Sequence, residues 1–201
     1  MKNLASNYHR IIVAVFITLF LLIASNNTQA QNKWELTFRP GLSFPTKDYG
    51  PTKLGIGWGF EATISYRFMP HLFAYTGWGW NSFSEKNAEG INKLSFDETG
   101  YSFGFQFIHP IPNYKLKYLI SLGGIYNHIE IENNNGDILA DSGHGLGWEV
   151  ATGVSYPFGD RFHITPSIRY RSLSRDLKIG SITTQVDLNY FSVNGAISWS
   201  F

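Results

Sequence analysis

From Leu188 to Phe201 the sequence alternates without a fault. Phe191, Val193, Gly195, Ile197, Trp199 and Phe201 fall on one face, and Ser192, Asn194, Ala196, Ser198 and Ser200 on the other. A period of two over this length fits an extended strand whose two faces meet unlike surroundings. A soluble sheet would cover the aromatic face with a helix or a second sheet. No segment after residue 30 carries the periodicity of an amphipathic helix. The simplest cover is lipid.

The same alternation recurs upstream. Trp34, Leu36, Phe38, Pro40, Leu42 and Phe44 oppose Glu35, Thr37, Arg39, Gly41 and Ser43. Ile56, Trp58, Phe60, Ala62, Ile64, Tyr66 and Phe68 oppose Gly57, Gly59, Glu61, Thr63, Ser65 and Arg67. Further strands are expected over 72–80, 101–107, 115–132, 146–158 and 162–172, which with the last makes eight. In 72–80, Gly77 and Gly79 share a face with Phe73 and Tyr75, which turns that face inward. Pro40 lacks a ladder donor and predicts a bulge or a strained pairing.

Two regularities narrow the fold class to an all-β, eight-stranded antiparallel up-and-down transmembrane barrel. Polar loops at 45–54, 82–99, 132–145 and 173–187 alternate with short turns at 69–71, 109–113 and 159–161. Aromatic residues on the apolar face recur ten apart: Trp34 and Phe44, Trp58 and Phe68, Trp148 and Phe158, Phe191 and Phe201. Ten residues at about 3.3 Å, tilted by roughly 45°, climb about 23 Å, close to the ~25 Å between the two aromatic girdles of a membrane barrel. Such barrels keep long loops outside and short turns in the periplasm, so both termini are expected on the periplasmic side.

The opposite face carries Gly, Ser, Thr and the charges Glu35, Arg39, Glu61, Arg67, Glu149, Arg169 and Arg171. A lipocalin needs the reverse, an apolar interior and a polar exterior. Eight strands enclose a space just wide enough for side chains to fill, so these charges should pair across it, and a wide diffusion pore is not expected. Counting outward from the Gly159-Asp160 turn sets Glu149 opposite Arg171 and diagonal to Arg169. Arg39 and Glu61 form a second expected pair, between the first two strands.

Residues 1–30 look like a cleavable signal peptide, with Lys2 and Arg10, an apolar run from Ile11 to Ala24, and small residues up to Ala30. The barrel domain is then 31–201, with 14 basic and 15 acidic residues once Lys2 and Arg10 are set aside. No basic stripe is left to neutralise phosphates, so nucleic acid is not an expected partner. The absence of Cys excludes disulfides, thiolate metal sites and a cysteine nucleophile.

The histidines of 31–201 are His71, His109, His128, His144 and His163. They show no close ligand spacing, so neither metal nor cofactor is expected. Asp141, Ser142 and His144 are the one constellation with catalytic residue types. Their Asp-Ser-Gly-His run reads as a turn, which rarely holds a nucleophile and base within hydrogen-bond reach.

A terminal Phe201 on a fully alternating strand, with Trp199 on the same face, resembles the C-terminal strand of bacterial outer-membrane barrels. In those families it closes the barrel and is read by the barrel-assembly machinery. As a whole, 31–201 resembles the OmpA/OmpX-like family of eight-stranded barrels, with no peptidoglycan-binding domain after the barrel. The resemblance implies a monomer in the outer membrane, in contact with its lipids and lipopolysaccharide. It also implies a non-enzymatic role, structural or adhesive, through the outer loops. Two alternatives stand beside it. One is a lipid A-modifying acyltransferase or deacylase with Ser, His and an acid at the outer rim. Here the deacylases' His-x-Ser-Asn run is missing, and the palmitoyltransferases' His and Asp-Ser pair, set on different loops, are neighbours. The other is a soluble lipocalin-like binder.

Overall fold

The computed structural model describes residues 32–47, 53–86, 94–133, 135–179 and 182–201. The expected signal peptide, 1–30, lies outside them. Alternating side chains with abundant β-branched and aromatic residues give nine strands. They are β1 (Trp34–Pro45), β2 (Gly57–Met69), β3 (Leu72–Ser84), β4 (Ser95–Pro110), β5 (Lys117–Glu132), β6 (Ile138–Asp141), β7 (Gly145–Phe158), β8 (Phe162–Ile179) and β9 (Ile182–Ser200). Eight of them close antiparallel in the order β1-β2-β3-β4-β5-β7-β8-β9, and β9 returns to β1. The ninth, β6, is a short strand that continues the wall beyond β7 by pairing with the far end of β5.

Three connections are tight: Pro70-His71, the turn from Ile111 to Leu116, and Gly159 to Arg161. Gly159 takes φ 76°, a conformation costly for a side-chain-bearing residue. At the other end the strands outrun the expected ones. The polar stretch 173–187 is not an irregular loop, because β8 and β9 stay in register from Phe162↔Trp199 to Ile179↔Ile182. Likewise 82–99 contains the end of β3 and the start of β4, and 132–145 contains β6. The reason is a change of surroundings. Beyond the apolar belt the outer face meets water, so polar residues there are compatible with continued pairing.

Within the belt the phase follows the alternation. Tyr75 is buried and Trp78 exposed, as the glycines of β3 indicate, and Leu122, Phe105, Val193 and Ile197 point outward. Towards the long-loop end the polarity inverts. On β5 the outward series Ile120, Leu122, Tyr126 gives way to His128, Glu130 and Glu132, while Ile125, Ile129 and Ile131 are buried inside. Those three pack with Leu54, Phe83, Phe96, Leu173, Leu188 and Tyr190 into an apolar core that closes this end of the barrel.

Pro40 produces no bulge. The β1–β9 register is the same on either side of it, but the ladder lapses between Phe38↔Ile197 and Gly41↔Asn194. The missing N–H leaves a gap in the pairing rather than an extra residue.

Candidate functional site

Beneath the apolar core, the middle of the barrel is filled by charge. Register supplies the local pairs. Arg39 lies directly opposite Glu61 on β2, and Glu149 directly opposite Arg171 on β8. Their side chains meet: Arg39 Nη1 donates to Glu61 Oε1 at 2.7 Å, and Arg171 Nε to Glu149 Oε2 at 2.8 Å. Arg169, one inward position along β8, approaches Glu149 Oε2 at 3.5 Å.

The lumen adds contacts that strand pairing alone does not specify. Arg169 grips Glu61 from the opposite wall with two parallel bonds, Nη1 to Oε2 at 2.6 Å and Nη2 to Oε1 at 2.8 Å. Arg171 also donates to Glu61. One carboxylate thus receives three guanidinium groups. Arg171 further reaches Glu98 Oε1 at 3.3 Å, and Glu98 accepts from the Tyr190 hydroxyl and from Asn81 and Asn127. Three arginines therefore face three glutamates, and the cluster is neutral. Burial of single charges in this setting is prohibitive, whereas bidentate Arg–carboxylate pairs satisfy both the charge and the donors.

Tyr75 belongs to the same cluster by an unusual route. A transverse row runs Tyr75 on β3, Gly104 on β4, Gly123 on β5, Glu149 on β7 and Arg171 on β8. The ring lies across both glycines, and its hydroxyl donates to Glu149 Oε1 at 2.7 Å. A Cβ on Gly123 would stand 2.2 Å from that hydroxyl. The glycines let the β3 side chain pass over β4 and β5 to reach Glu149 on β7.

What remains open beside the cluster is small. A cavity of about 10 Å³ touches Arg39, Glu61, Asn81, Arg169, Arg171 and Asn194, room for about one water molecule. Arg67 lies half-buried near the end of β2, three residues before Pro70 of the next turn. Glu98, Tyr75 and Tyr190 are the members that sequence reasoning missed. Glu98 falls in the 82–99 stretch read as loop, Tyr75 enters the sequence reading only as an inward-facing residue, and Tyr190 does not enter it. The Gly104 and Gly123 positions were the available signal for Tyr75.

The aromatic residues at ten-residue spacing stand on the outer face. Trp34, Phe44, Trp58, Phe68, Trp148, Phe158 and Phe191 are all exposed. Phe44 pairs with Phe191 across the β1–β9 seam, and Phe191 contacts Tyr170, which contacts Trp148. At the other end Phe158 packs on Phe162 and Phe68 on Phe105. Trp199 pairs with Leu36 and Phe162 at this same end, and Phe201 follows the last residue of β9.

The Asp141–His144 run is a turn whose groups are already engaged. Ser142 Oγ accepts from Ile129 N at 2.9 Å and donates to Gly143 O at 3.0 Å. Asp141 Oδ1 accepts from Gly143 N at 2.8 Å, and the His144 ring stacks on His128. Among the described residues no hydrogen bond joins Ser142 to His144.

Solved structures share this architecture. The crystal structure of Neisserial surface protein A aligns with a TM-score of 0.59 at 14% identity, covering 85% of this chain and 98% of that one. The outer membrane protein OprG from Pseudomonas aeruginosa aligns with a TM-score of 0.53 at 13% identity, covering 87% and 99%. At these identities the likeness is one of fold. A comparison with curated protein sequences gives no match. The family model for the outer membrane protein beta-barrel domain matches residues 16–201. With closed eight-stranded architecture and a match over nearly the whole chain, the protein belongs to the outer membrane protein beta-barrel domain family.

Proposed function

We propose that this outer-membrane barrel is a non-enzymatic, non-conducting protein that acts at the cell surface through the strand extensions and hairpins of its long-loop end. The observation that carries this reading is the double closure of the lumen. A neutral, fully bonded charge cluster fills the middle, and an apolar core seals the long-loop end above it. An ion would have to displace buried arginine–glutamate pairs and then cross a layer of Phe, Leu and Ile. Engagement of Ser142 Oγ by backbone groups supports a structural turn over a nucleophile.

In this reading residues 1–30 are removed as a signal peptide and both termini lie in the periplasm. The contrast between tight turns at one end and long hairpins at the other supports that orientation. The barrel functions as a monomer among outer-membrane lipids and lipopolysaccharide, and the Trp199–Phe201 end serves the assembly machinery during insertion.

An epitope inserted at Gly143 tests the orientation, with a second at Asp160 as its counterpart. Antibody labelling of intact cells is expected for the Gly143 insertion alone, and for both after permeabilisation. Labelling of Asp160 on intact cells overturns the orientation. Steady single-channel conductance of the wild-type barrel in planar bilayers overturns the closed lumen. A lipid A mass change that depends on Ser142 overturns the non-enzymatic assignment.

A further inference from the structure

We propose that the outer surface of the β5–β6 hairpin is a binding site for a divalent transition-metal cation of the Zn²⁺ type, with His128, Glu130 and Asp141 as ligands. The site lies just beyond the apolar belt, where the outward face of β5 changes from Tyr126 to His128. Residues two apart on a strand share a face, so His128 and Glu130 stand side by side. Asp141 lies directly opposite Glu130 in the β5–β6 ladder. One donor atom from each of the three falls within 4.8 Å of the others.

The observed separations are already short. His128 Nδ1 is 3.3 Å from Asp141 Oδ1 and 3.9 Å from Glu130 Oε1. A tetrahedral ion with bonds of about 2.0–2.2 Å spaces its donors by roughly 3.4 Å, so small side-chain rotations complete the set. Imidazole nitrogen with carboxylate oxygen is a donor set suited to Zn²⁺ and its neighbours, whereas Ca²⁺ and Mg²⁺ favour oxygen alone.

Charge and rigidity point the same way. Among the described residues no Lys or Arg pairs with Glu130 or Asp141, so two carboxylates beside an imidazole match a dication. The turn that presents Asp141 is fixed by Ser142 N to Ile129 O at 3.0 Å and Ile129 N to Ser142 Oγ at 2.9 Å. The His144 ring stacks on His128 with centroids 4.5 Å apart and 11° between planes, and also contacts Tyr126. Two stacked rings cannot both ligate one ion, so His144 is a positioning residue that steadies the His128 ring. A bound ion would staple β6 to β5 and stiffen a surface hairpin.

The test uses the full barrel without a polyhistidine tag, refolded in detergent and stripped with chelator. Titration with Co²⁺ is expected to give visible d–d absorption at one ion per barrel, displaced by Zn²⁺. Removing even an indirect partner of a metal ligand weakens binding about 10–100-fold. His128→Gln and Asp141→Asn are therefore each expected to weaken Zn²⁺ by at least about 10-fold in calorimetry. His71→Gln, in the tight turn between β2 and β3, leaves it unchanged. Heat-modifiable gel mobility confirms that each variant is folded. Absence of stoichiometric Zn²⁺ binding, equal affinity in His128→Gln, or tighter binding of Ca²⁺ than of Zn²⁺ overturns the proposal.

Discussion

Replacing Glu61 with glutamine removes one charge and leaves the shape of the lumen intact. In the native protein Glu61 receives Arg39 at 2.7 Å, two bonds from Arg169 at 2.6 and 2.8 Å, and a further bond from Arg171. Glutamine keeps one acceptor oxygen and turns an NH₂ donor towards guanidinium groups that cannot accept. The cluster then holds three arginines against Glu98 and Glu149. Glu61 and Arg169 are almost completely buried, so solvent offers little screening. Breaking a buried pair from one side costs about 3–5 kcal/mol. At about 1.4 kcal/mol per decade, that is two to nearly four orders of magnitude in the folding equilibrium. Urea unfolding in lipid vesicles, followed by tryptophan fluorescence and by gel mobility, should show a large fall in midpoint. Adding Arg169→Met restores neutrality. The double variant should recover roughly 0.5–3 kcal/mol relative to the sum of the two single losses. An unchanged midpoint for Glu61→Gln refutes the reasoning, and so does a double variant no more stable than that sum.

Other perturbations separate the remaining parts of the architecture. Glu149→Ala leaves Arg171 Nε and the Tyr75 hydroxyl without their acceptor and three arginines against two glutamates, so it should destabilise the barrel by about 3–5 kcal/mol or open a leak. Unchanged conductance and unchanged gel mobility would both have to be seen to dismiss the pairing. Gly123→Ala places a methyl group on the path of the Tyr75 ring and should cost about 1–3 kcal/mol by overpacking. Adding Tyr75→Phe, which removes the hydroxyl it meets, should return part of that loss in the same urea assay. Leu122→Arg, on the apolar belt, should cost about 2–4 kcal/mol in vesicles, as for a lipid-facing charge near the midplane. Leu139→Arg, equally exposed but on β6 beyond the belt, should be nearly neutral. Equal effects of the two would place the belt wrongly.

Strand phase was legible because the period is two and the two solvents differ. Leu36, Trp58, Trp148 and Val193 announce their face by recurrence alone. The Glu149–Arg171 and Arg39–Glu61 juxtapositions were legible because a tight turn or a neighbouring strand fixes register by counting. The Arg169–Glu61 grip was not, since it joins β8 to β2 across the lumen and depends on how closure staggers the strands. The β6 strand and the extension of β8 and β9 were missed for a different reason. Hydrophobic periodicity detects a strand only while one face is consistently apolar, and outside the belt that face changes sides. His128, Glu130 and Asp141 escaped for this second reason. Two sit on one strand in a stretch where polarity flips, and the third arrives from a strand that the polar composition concealed.

The inversion also explains why the charge cluster sits where it does. Inside the belt the outward face is committed to lipid, so every polar group of the chain must be satisfied inward, and only mutual neutralisation keeps that interior stable. Beyond the belt water solvates the outer face, and the interior is free to become apolar, as Phe83, Phe96 and Ile129 show. Tyr190 stands at the change. Its ring contacts Phe83 in the apolar layer at 5.1 Å, while its hydroxyl bonds to Glu98 in the charged one. A residue with an apolar body and a polar tip is what that boundary requires. The two layers are therefore coupled, and loosening either one should be felt in the other through this ring, as well as through Asn127, which sits between Ile125 and Ile129 and donates to Glu98.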